Sequence, residues 1–453
     1  MEVGAAMSDT MRPRFVMVQA ILGHHACGYR EFGPGATCSL RVMRCILAIA
    51  VLALAAAGQS TWIVDRLRRP GYQFDDLPAA IAAAVPGDTL FLRATTSRAD
   101  DADAYTATTI QGKGLSVVGE VGSALPPVRV VGAWNITAVP AGQTVILRRL
   151  ELDGSSWTYA RGLPFGFTAS QCAGAIVLEQ VRVLPNWQDP FSQVITGNRF
   201  IDCRMIVLRN CSIDRGDIRW IFLRSRVMMS AATFVQSHPL ASALNGALSD
   251  TMVLDASELH ASSSTIQGSV GVPGFPSVAW AIGLYSNSTV VASSGTSLVG
   301  GVNSFGRTHW TYDYGLVQVP PRTSTLRYDP SVQLIGGQGQ AGMIEIQELQ
   351  TGLQTVESPG QITVVQHTPP SAPTFLLMGT LQTTPWTQII GPVYIDLTNV
   401  WSDLQVAPAS GVLNRTFPIP PTIPFGQWAG IQAFALESTG RLMTSNVSTV
   451  GVW

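Results

Sequence analysis

Val145-Ile146-Leu147-Arg148-Arg149-Leu150-Glu151-Leu152 is the stretch from which the fold can be read. Its apolar residues Val145, Leu147, Leu150 and Leu152 alternate, skip two positions and alternate again. The set recurs as Ile176, Leu178, Val181 and Val183, displaced by 31, and as Ile206, Leu208, Cys211 and Ile213, displaced by a further 30. Met252, Leu254, Ser257 and Leu259 repeat the spacing once more, displaced by 46. Alternation places successive side chains on opposite faces of a strand, and the two-residue skip marks a corner between two strands. Gly154-Ser155-Ser156-Trp157 and Ala261-Ser262-Ser263-Ser264, between copies, are turn-rich without a helical period. Coils of this kind stack about 4.8 Å apart, burying each inward row against the next and pairing backbone groups between coils. The expectation is a solenoid of parallel strands, with a loop inside 216–250 absorbing the extra length before the fourth copy. Signals at Val290-Val291, Leu298 and Leu326 to Leu334 carry the coils to about 340.

Upstream, past Thr61-Trp62-Ile63-Val64-Asp65, Leu77, Ala80, Ile81 and Ala84 share one face of a short helix. Asp75 or Asp76 can cap that helix, Pro78 suits its first turn, and Pro86-Gly87 stops it. Strands follow at Thr89 to Leu92, Leu115 to Val118 and Val128 to Val131. This opening, with Pro86-Gly87-Asp88-Thr89-Leu90 and Gly114-Leu115-Ser116-Val117-Val118-Gly119, resembles the right-handed parallel β-helix proteins of the pectin-lyase-like group. In that group a short amphipathic helix caps the first coil. The resemblance covers residues 61–340 and implies a fold rather than an activity. Leu147-x-x-Leu150-x-Leu152 also fits a leucine-rich repeat, but the additional apolar position before each first leucine and the cap helix argue against it.

From about 357 the pattern changes. Ile362 to Val365, Phe375 to Leu377, Val393 to Leu397 and Trp428 to Leu436 read as strands of an antiparallel sandwich spanning 357–453, with a last strand after Ser445-Asn446. Pro418-Ile419-Pro420, Gln432-Ala433 and Ser445-Asn446 resemble elements of the small C-terminal β modules that end many secreted bacterial proteins.

At the other end, Met43-Arg44-Cys45 precedes an uncharged apolar run, Ile46 to Ala57, closing on Ala55-Ala56-Ala57. That run is too short to span about 30 Å of hydrocarbon but suits a secretory signal. Residues 1–57 are therefore expected to be a leader, with the signal at 43–57 and a translation start read too early. No transmembrane span is expected after its removal, and the product is expected to be secreted or held at a bacterial cell surface. Cleavage would leave Cys172, Cys203 and Cys211, without the spacing of a zinc site.

Charged residues are 13% of the 453, the net charge is -1, and Lys113 is the only lysine. Nucleic-acid binding, which needs clustered Lys and Arg, is set aside. Glycoside hydrolysis on a β-helix needs carboxylates facing one groove. In the pectin-degrading hydrolases these come as Asn-Thr-Asp, Asp-Asp and Gly-His. After the leader neither Asn-Thr-Asp nor Gly-His occurs, and the Asp-Asp pairs fall in the cap helix (Asp75-Asp76) and an acidic loop (Asp100-Asp101, with Asp103). A lyase needs a base beside a uronate. Lys113 is poorly placed for this; Asp202, Arg204, Asp214, Arg215, Asp217 and Arg219 make a better cluster, though they also read as turn charges that pair with one another. Arg307-Thr308-His309-Trp310-Thr311-Tyr312-Asp313-Tyr314 concentrates aromatics with polar partners, as a sugar-stacking platform would, and Trp157, Tyr159 and Trp187 could extend it. Cys172 and Cys203 lie one coil step apart, which suits either a disulfide or a stack of reduced thiols. Cys211 reads as a small core residue. No motif calls for a metal or cofactor. The expectation is an all-β protein, a right-handed parallel β-helix followed by a β-sandwich, with a noncatalytic structural role or one binding polysaccharide or cell-envelope glycan. The alternative is a polysaccharide lyase or hydrolase whose site matches no motif.

Overall fold

The computed structural model describes residues 59–95, 103–120, 127–153, 165–184, 197–213, 219–235, 251–268, 281–300, 309–312, 324–335, 342–345, 352–358, 360–386, 393–397, 400–418, 428–436 and 442–451. The leader 1–57 lies outside them. Three parallel sheets make up a parallel β-helix: sheet A of eleven strands, B of nine and C of eight. One coil runs Thr144–Arg148 in A, Leu150–Asp153 in B and Phe165–Ser170 in C, and the next re-enters A at Ala175–Glu179. Val145, Ile176 and Ile206 are register partners, as are Leu147, Leu178 and Leu208, and Leu152, Val183 and Ile213. The first three sequence copies are thus three stacked coils.

The fourth copy belongs to a different corner. Met252 and Leu254 pair with Trp220 and Phe222 in sheet C, and Leu259 pairs with Val227 in sheet A. The true continuation is Val227, Met229, Ala232 and Phe234, displaced by only 21 from the third copy, and then Leu259, Ala261, Ser264 and Ile266, displaced by 32. Arg219–Leu223, Arg226–Ser230 and Thr233–Val235 therefore form a short regular coil inside the stretch expected to leave the solenoid. Only 236–250 and the first few positions of that stretch fall outside the described residues.

The reason is geometric: both corners are made the same way. The A-to-B corner turns on a residue in the left-handed region, Arg149, Gln180, Asn210, Ala231, Ser263 and Ser294 in successive coils, the last followed by left-handed Gly295. The C-to-A corner turns on Ala138, Gln171, Asp202, Arg224, Ala256 and the pair Ser286-Asn287. Around Arg224 and Ala256 the inward residues stand at the same distances from the turning residue as they do around Arg149, so the spacing alone cannot tell those corners from an A-to-B corner. Most turning residues aim their N–H at the next coil, as Arg149 does to Glu179 O at 3.0 Å and Arg224 to Asp255 O at 2.8 Å. Among the described residues no helix intervenes between these strands, and the chain coils through three parallel sheets rather than alternating strand with helix as a leucine-rich repeat would.

The solenoid core is continuous from Val64 to Leu326. Phe167, Phe200 and Phe222 stack along sheet C at 5.2 and 5.0 Å, and Trp220 stacks on Phe234 at 4.9 Å. At the N-terminal end the helix Leu77–Ala83 buries Leu77, Ala80 and Ile81 over that core. Asp76, not Asp75, is its cap, accepting from Leu77 N at 2.8 Å. Asp75 instead pairs with Arg68. Asp88, 1% exposed, accepts from Ser60 N, Trp62 Nε1 and Val85 N, which explains the Pro-Gly-Asp signature as a buried polar hub.

The last parallel pairing is Gly342–Glu345 with Thr325–Tyr328. Beyond it the sheets are antiparallel: three strands (Gly352–Ser358, Gln361–His367, Val412–Pro418), four (Trp401–Val406, Pro373–Gly379, Trp428–Leu436, Leu442–Gly451), and a ribbon (Leu381–Trp386, Val393–Ile395). Leu353, Ile362 and Val364 of the first pack against Leu376, Ile431 and Ala433 of the second, making a small sandwich. Ser445-Asn446 lies inside the last strand, not before it. There the pairing register shifts opposite Ala433, and Ser445 Oγ closes the irregularity by accepting Ala433 N at 2.8 Å.

Candidate functional site

Sheet A presents its outer face to the sandwich. Ile146, Ala175, Val177, Met205, Val207 and Met228 point away from the solenoid core and form a second apolar cluster with Leu381, Tyr394, Ile395 and Val447. Further along the same outer row the residues are charged: Arg148, Glu179 and Arg209 are register partners in three adjacent coils. Glu179 Oε1 lies 3.2 Å from Arg148 and 3.0 Å from Arg209, and all three side chains are at most 1% exposed. Arg209 also donates to Thr355 O at 3.1 Å and to Thr449 O, while Thr449 Oγ1 donates to Glu179 Oε2 at 3.2 Å. Solenoid and sandwich are therefore joined by a fully desolvated ionic network inside an apolar surround.

Beside it, Glu258 accepts from Arg226 Nε at 2.8 Å and lies 2.6 Å from His260 Nε2. The Arg226 guanidinium sits 5.3 Å over the Tyr394 ring. Burial alone would raise the Glu258 pKa, but His260 and Arg226 outweigh it and lower the carboxyl to about 2. Burial pushes the Tyr394 phenol up. Gln432, Ser445 and Asn446, singled out by their resemblance to C-terminal modules, also tie this region together. Gln432 Oε1 accepts Tyr394 N at 2.8 Å, and Asn446 exchanges two bonds with the Leu353 backbone.

The corner of the coil between sheets B and C behaves differently. From Leu150–Asp153 onward, no A-to-B connection is longer than 329–332, whereas B-to-C connections run from 214–218 at the shortest to 236–251 at the longest. Apart from 313–324, after the last strand of C, the long connections thus leave from one edge of the solenoid. Trp157, Tyr159, Trp187 and Arg307 belong to the B-to-C connections and Asp313 and Tyr314 follow the last strand of C, all outside the described residues. His309, Trp310 and Tyr312 lie on that strand, pairing with Ile282, Gly283 and Tyr285. Of the aromatic candidates, His309, Trp310 and Tyr312 are thus on the last strand of sheet C, and the others fall in sequence between described strands.

The charged candidates have structural partners. Asp202 forms a two-point pair with Arg224 at 2.6 and 2.9 Å. Asp214, Arg215 and Asp217 are outside the described residues. Lys113 Nζ donates to Ile81 O at 2.5 Å and Ala84 O at 2.7 Å, neutralising the negative end of the cap helix. On sheet B, Arg129 pairs with Asp153, and Arg182 with Glu151. Among the described residues, no group of three or more His, Cys, Asp or Glu side chains could hold a metal ion.

Cys172, Cys203 and Cys211 are free and buried. Cys211 sits in the core, its thiol raised to about 12 by burial. Cys172 and Cys203 are hydrogen-bonded neighbours; that contact lowers the Cys172 pKa and raises that of Cys203. They begin a ladder that sequence reading missed. Each takes the inward position after the C-to-A turn, which in later coils is filled by Ser225, Ser257, Ser288 and Ser324. Cys203 N donates to Ser225 Oγ at 3.1 Å, Ser225 N to Ser257 Oγ at 3.0 Å, Ser257 N to Ser288 Oγ at 3.2 Å, and Ser288 N to Ser324 Oγ at 3.0 Å.

No protein-family model matches the chain, and no curated protein matches its sequence.

Proposed function

We propose that this protein is an exported, noncatalytic scaffold that binds an extended glycan along the B–C edge of its β-helix. The observation that supports the reading is that the long connections, in whose sequence Trp157, Trp187 and Arg307 fall, join strands of sheet B to strands of sheet C, the last of which is His309–Tyr312. Two further facts support it. The sandwich occupies the outer face of sheet A, and the carboxylates of Asp65, Asp76, Asp88, Glu151, Asp153, Glu179, Asp202 and Glu258 are each engaged by a named donor rather than directed together at a groove. Flat aromatic rings suit stacking on sugar faces.

The test is affinity electrophoresis of the purified protein through neutral, uronic and sulfated polysaccharides, with and without calcium, beside the Trp157→Ala, Trp187→Ala and Trp310→Ala variants. Retardation by one polymer, reduced in the variants, is the expected result. New reducing ends, or ultraviolet absorbance from unsaturated uronates, would make the protein a hydrolase or lyase instead. Migration unaffected by every polymer would leave a purely structural role.

A further inference from the structure

The ladder at the C-to-A corner has six places and one geometry. Four take serine, whose hydroxyl accepts the N–H of the coil before. The hydroxyl also donates to a carbonyl two or three residues back, as Ser225 does to Leu223 O at 2.9 Å, Ser257 to Asp255 O at 2.8 Å and Ser288 to Tyr285 O at 2.5 Å. The Cys thiols copy this: Cys172 Sγ lies 3.3 Å from Ser170 O, and Cys203 Sγ 3.5 Å from Ile201 O. Serine would therefore fill both places. Sulfur stands only at two consecutive coils, where the side chains touch each other. Ser170 and Ile201 are register partners, and Arg204 N donates to Cys172 O at 2.9 Å, so the two cysteines lie on adjacent, aligned coils. Aligned neighbours have Cα atoms about 4.8 Å apart, within the span a disulfide bridges. Cys211 stands at the A-to-B corner and donates to Leu178 O, away from this ladder.

We propose that Cys172 and Cys203 are an oxidative cross-linking site that staples two coils of the solenoid when the chain folds against a thiol–disulfide oxidant. The thiolate of one cysteine attacks the oxidant's disulfide, forming a mixed disulfide and releasing one reduced thiol. The thiolate of the second then displaces the remaining oxidant sulfur. Two protein thiols lose two protons and two electrons, and the oxidant's disulfide becomes two thiols. Because both sulfurs are buried, closure belongs to folding rather than to attack on the folded protein.

The experiment is refolding of the reduced, denatured full chain in oxidised and reduced glutathione, followed by alkylation in denaturant and peptide mapping without reduction. The expected result is one peptide pair joined through Cys172 and Cys203, with Cys211 alkylated. The oxidised wild type should also unfold at higher urea than the same protein kept reduced. Cys172→Ser, which the ladder accommodates, should fold, match the reduced wild type in urea and lose the oxidation-dependent shift. Free Cys172 and Cys203 after oxidative refolding, or a bridge that recruits Cys211, would overturn the proposal, as would an equal urea shift in Cys172→Ser.

Discussion

Replacing Glu179 by Gln would test whether the ionic network holds the sandwich to the solenoid. The change keeps the shape and removes the counter-charge of two guanidiniums that are 0% and 1% exposed. At an effective dielectric near 20, two charges about 4 Å apart attract by about 4 kcal/mol, so two partners give about 8 kcal/mol gross. Release of the buried carboxylate from its own desolvation penalty returns several kcal/mol of this. The net loss is then about 3–5 kcal/mol, the range found when one partner of a buried pair is removed. It should show as a lower first urea midpoint in tryptophan fluorescence, with Trp428 packed at the joint as reporter, and as earlier proteolytic release of the sandwich. Asp202→Asn, which breaks an exposed pair, serves as control and should leave the midpoint unchanged. A loss below about 1 kcal/mol for Glu179→Gln would refute the reasoning, because it would mean that water or a rearranged carbonyl solvates both arginines without cost.

Other outcomes follow from backbone and protonation. Ala256→Gly should stabilise by about 0.5–1 kcal/mol in urea titration, because Ala256 is exposed, holds φ 47° and keeps its N–H bond to Tyr285 O as glycine. Gly352→Ala should lower the thermal midpoint, since its Cβ would lie 2.6 Å from Ser294 Cβ and overlap Ser294 Oγ. Ser294→Gly in the same chain should restore it, glycine being welcome at φ 52°. Glu258 is ionised more readily in the folded state than in the unfolded one, so its contribution is complete above the ordinary glutamate value and lost as pH falls toward about 2. Acid titration of the sandwich–solenoid joint should lose part of its slope over that window in Glu258→Gln, and an unchanged acid limb would contradict the pairing with Arg226 and His260.

The fold was legible because its period repeats in side chains that the stack buries. Val145, Ile176 and Ile206 carry the same information three times, and stacking makes them register partners. The failure at 252 came from two corners sharing one backbone shape, together with the short coil from Arg219 to Val235 set between longer ones. The ionic joint was also written in the repeat. Arg148, Glu179 and Arg209 follow the inward pair in three copies with alternating sign, which in a stacked sheet means neighbouring charges on one outer row. What the repeat could not show is that this row is buried, since burial depends on a sandwich far along the chain. Trp157, Tyr159 and Trp187 were harder for the opposite reason: they fall in connections of unequal length, where no period constrains them.

The covered face of sheet A narrows what the protein can present to a partner. Ile146, Val177, Val207 and Met228 are apolar residues on the outside of a solenoid, a pattern that in an isolated β-helix would mark a ligand groove or an aggregation-prone surface. Here the sandwich fills that role from the same chain, with Arg209 capping backbone carbonyls of its strands. The short corners leave little freedom for variation, because most turn on a single left-handed residue, and most of those commit their N–H to the next coil. Length variation is therefore concentrated at the B–C corner, where connections as different as 214–218 and 236–251 leave the stack undisturbed. A rigid core with one variable edge is the arrangement expected where recognition is carried by loops on a fixed scaffold. On that ground the B–C edge, rather than the face of sheet A, is where a glycan should be sought.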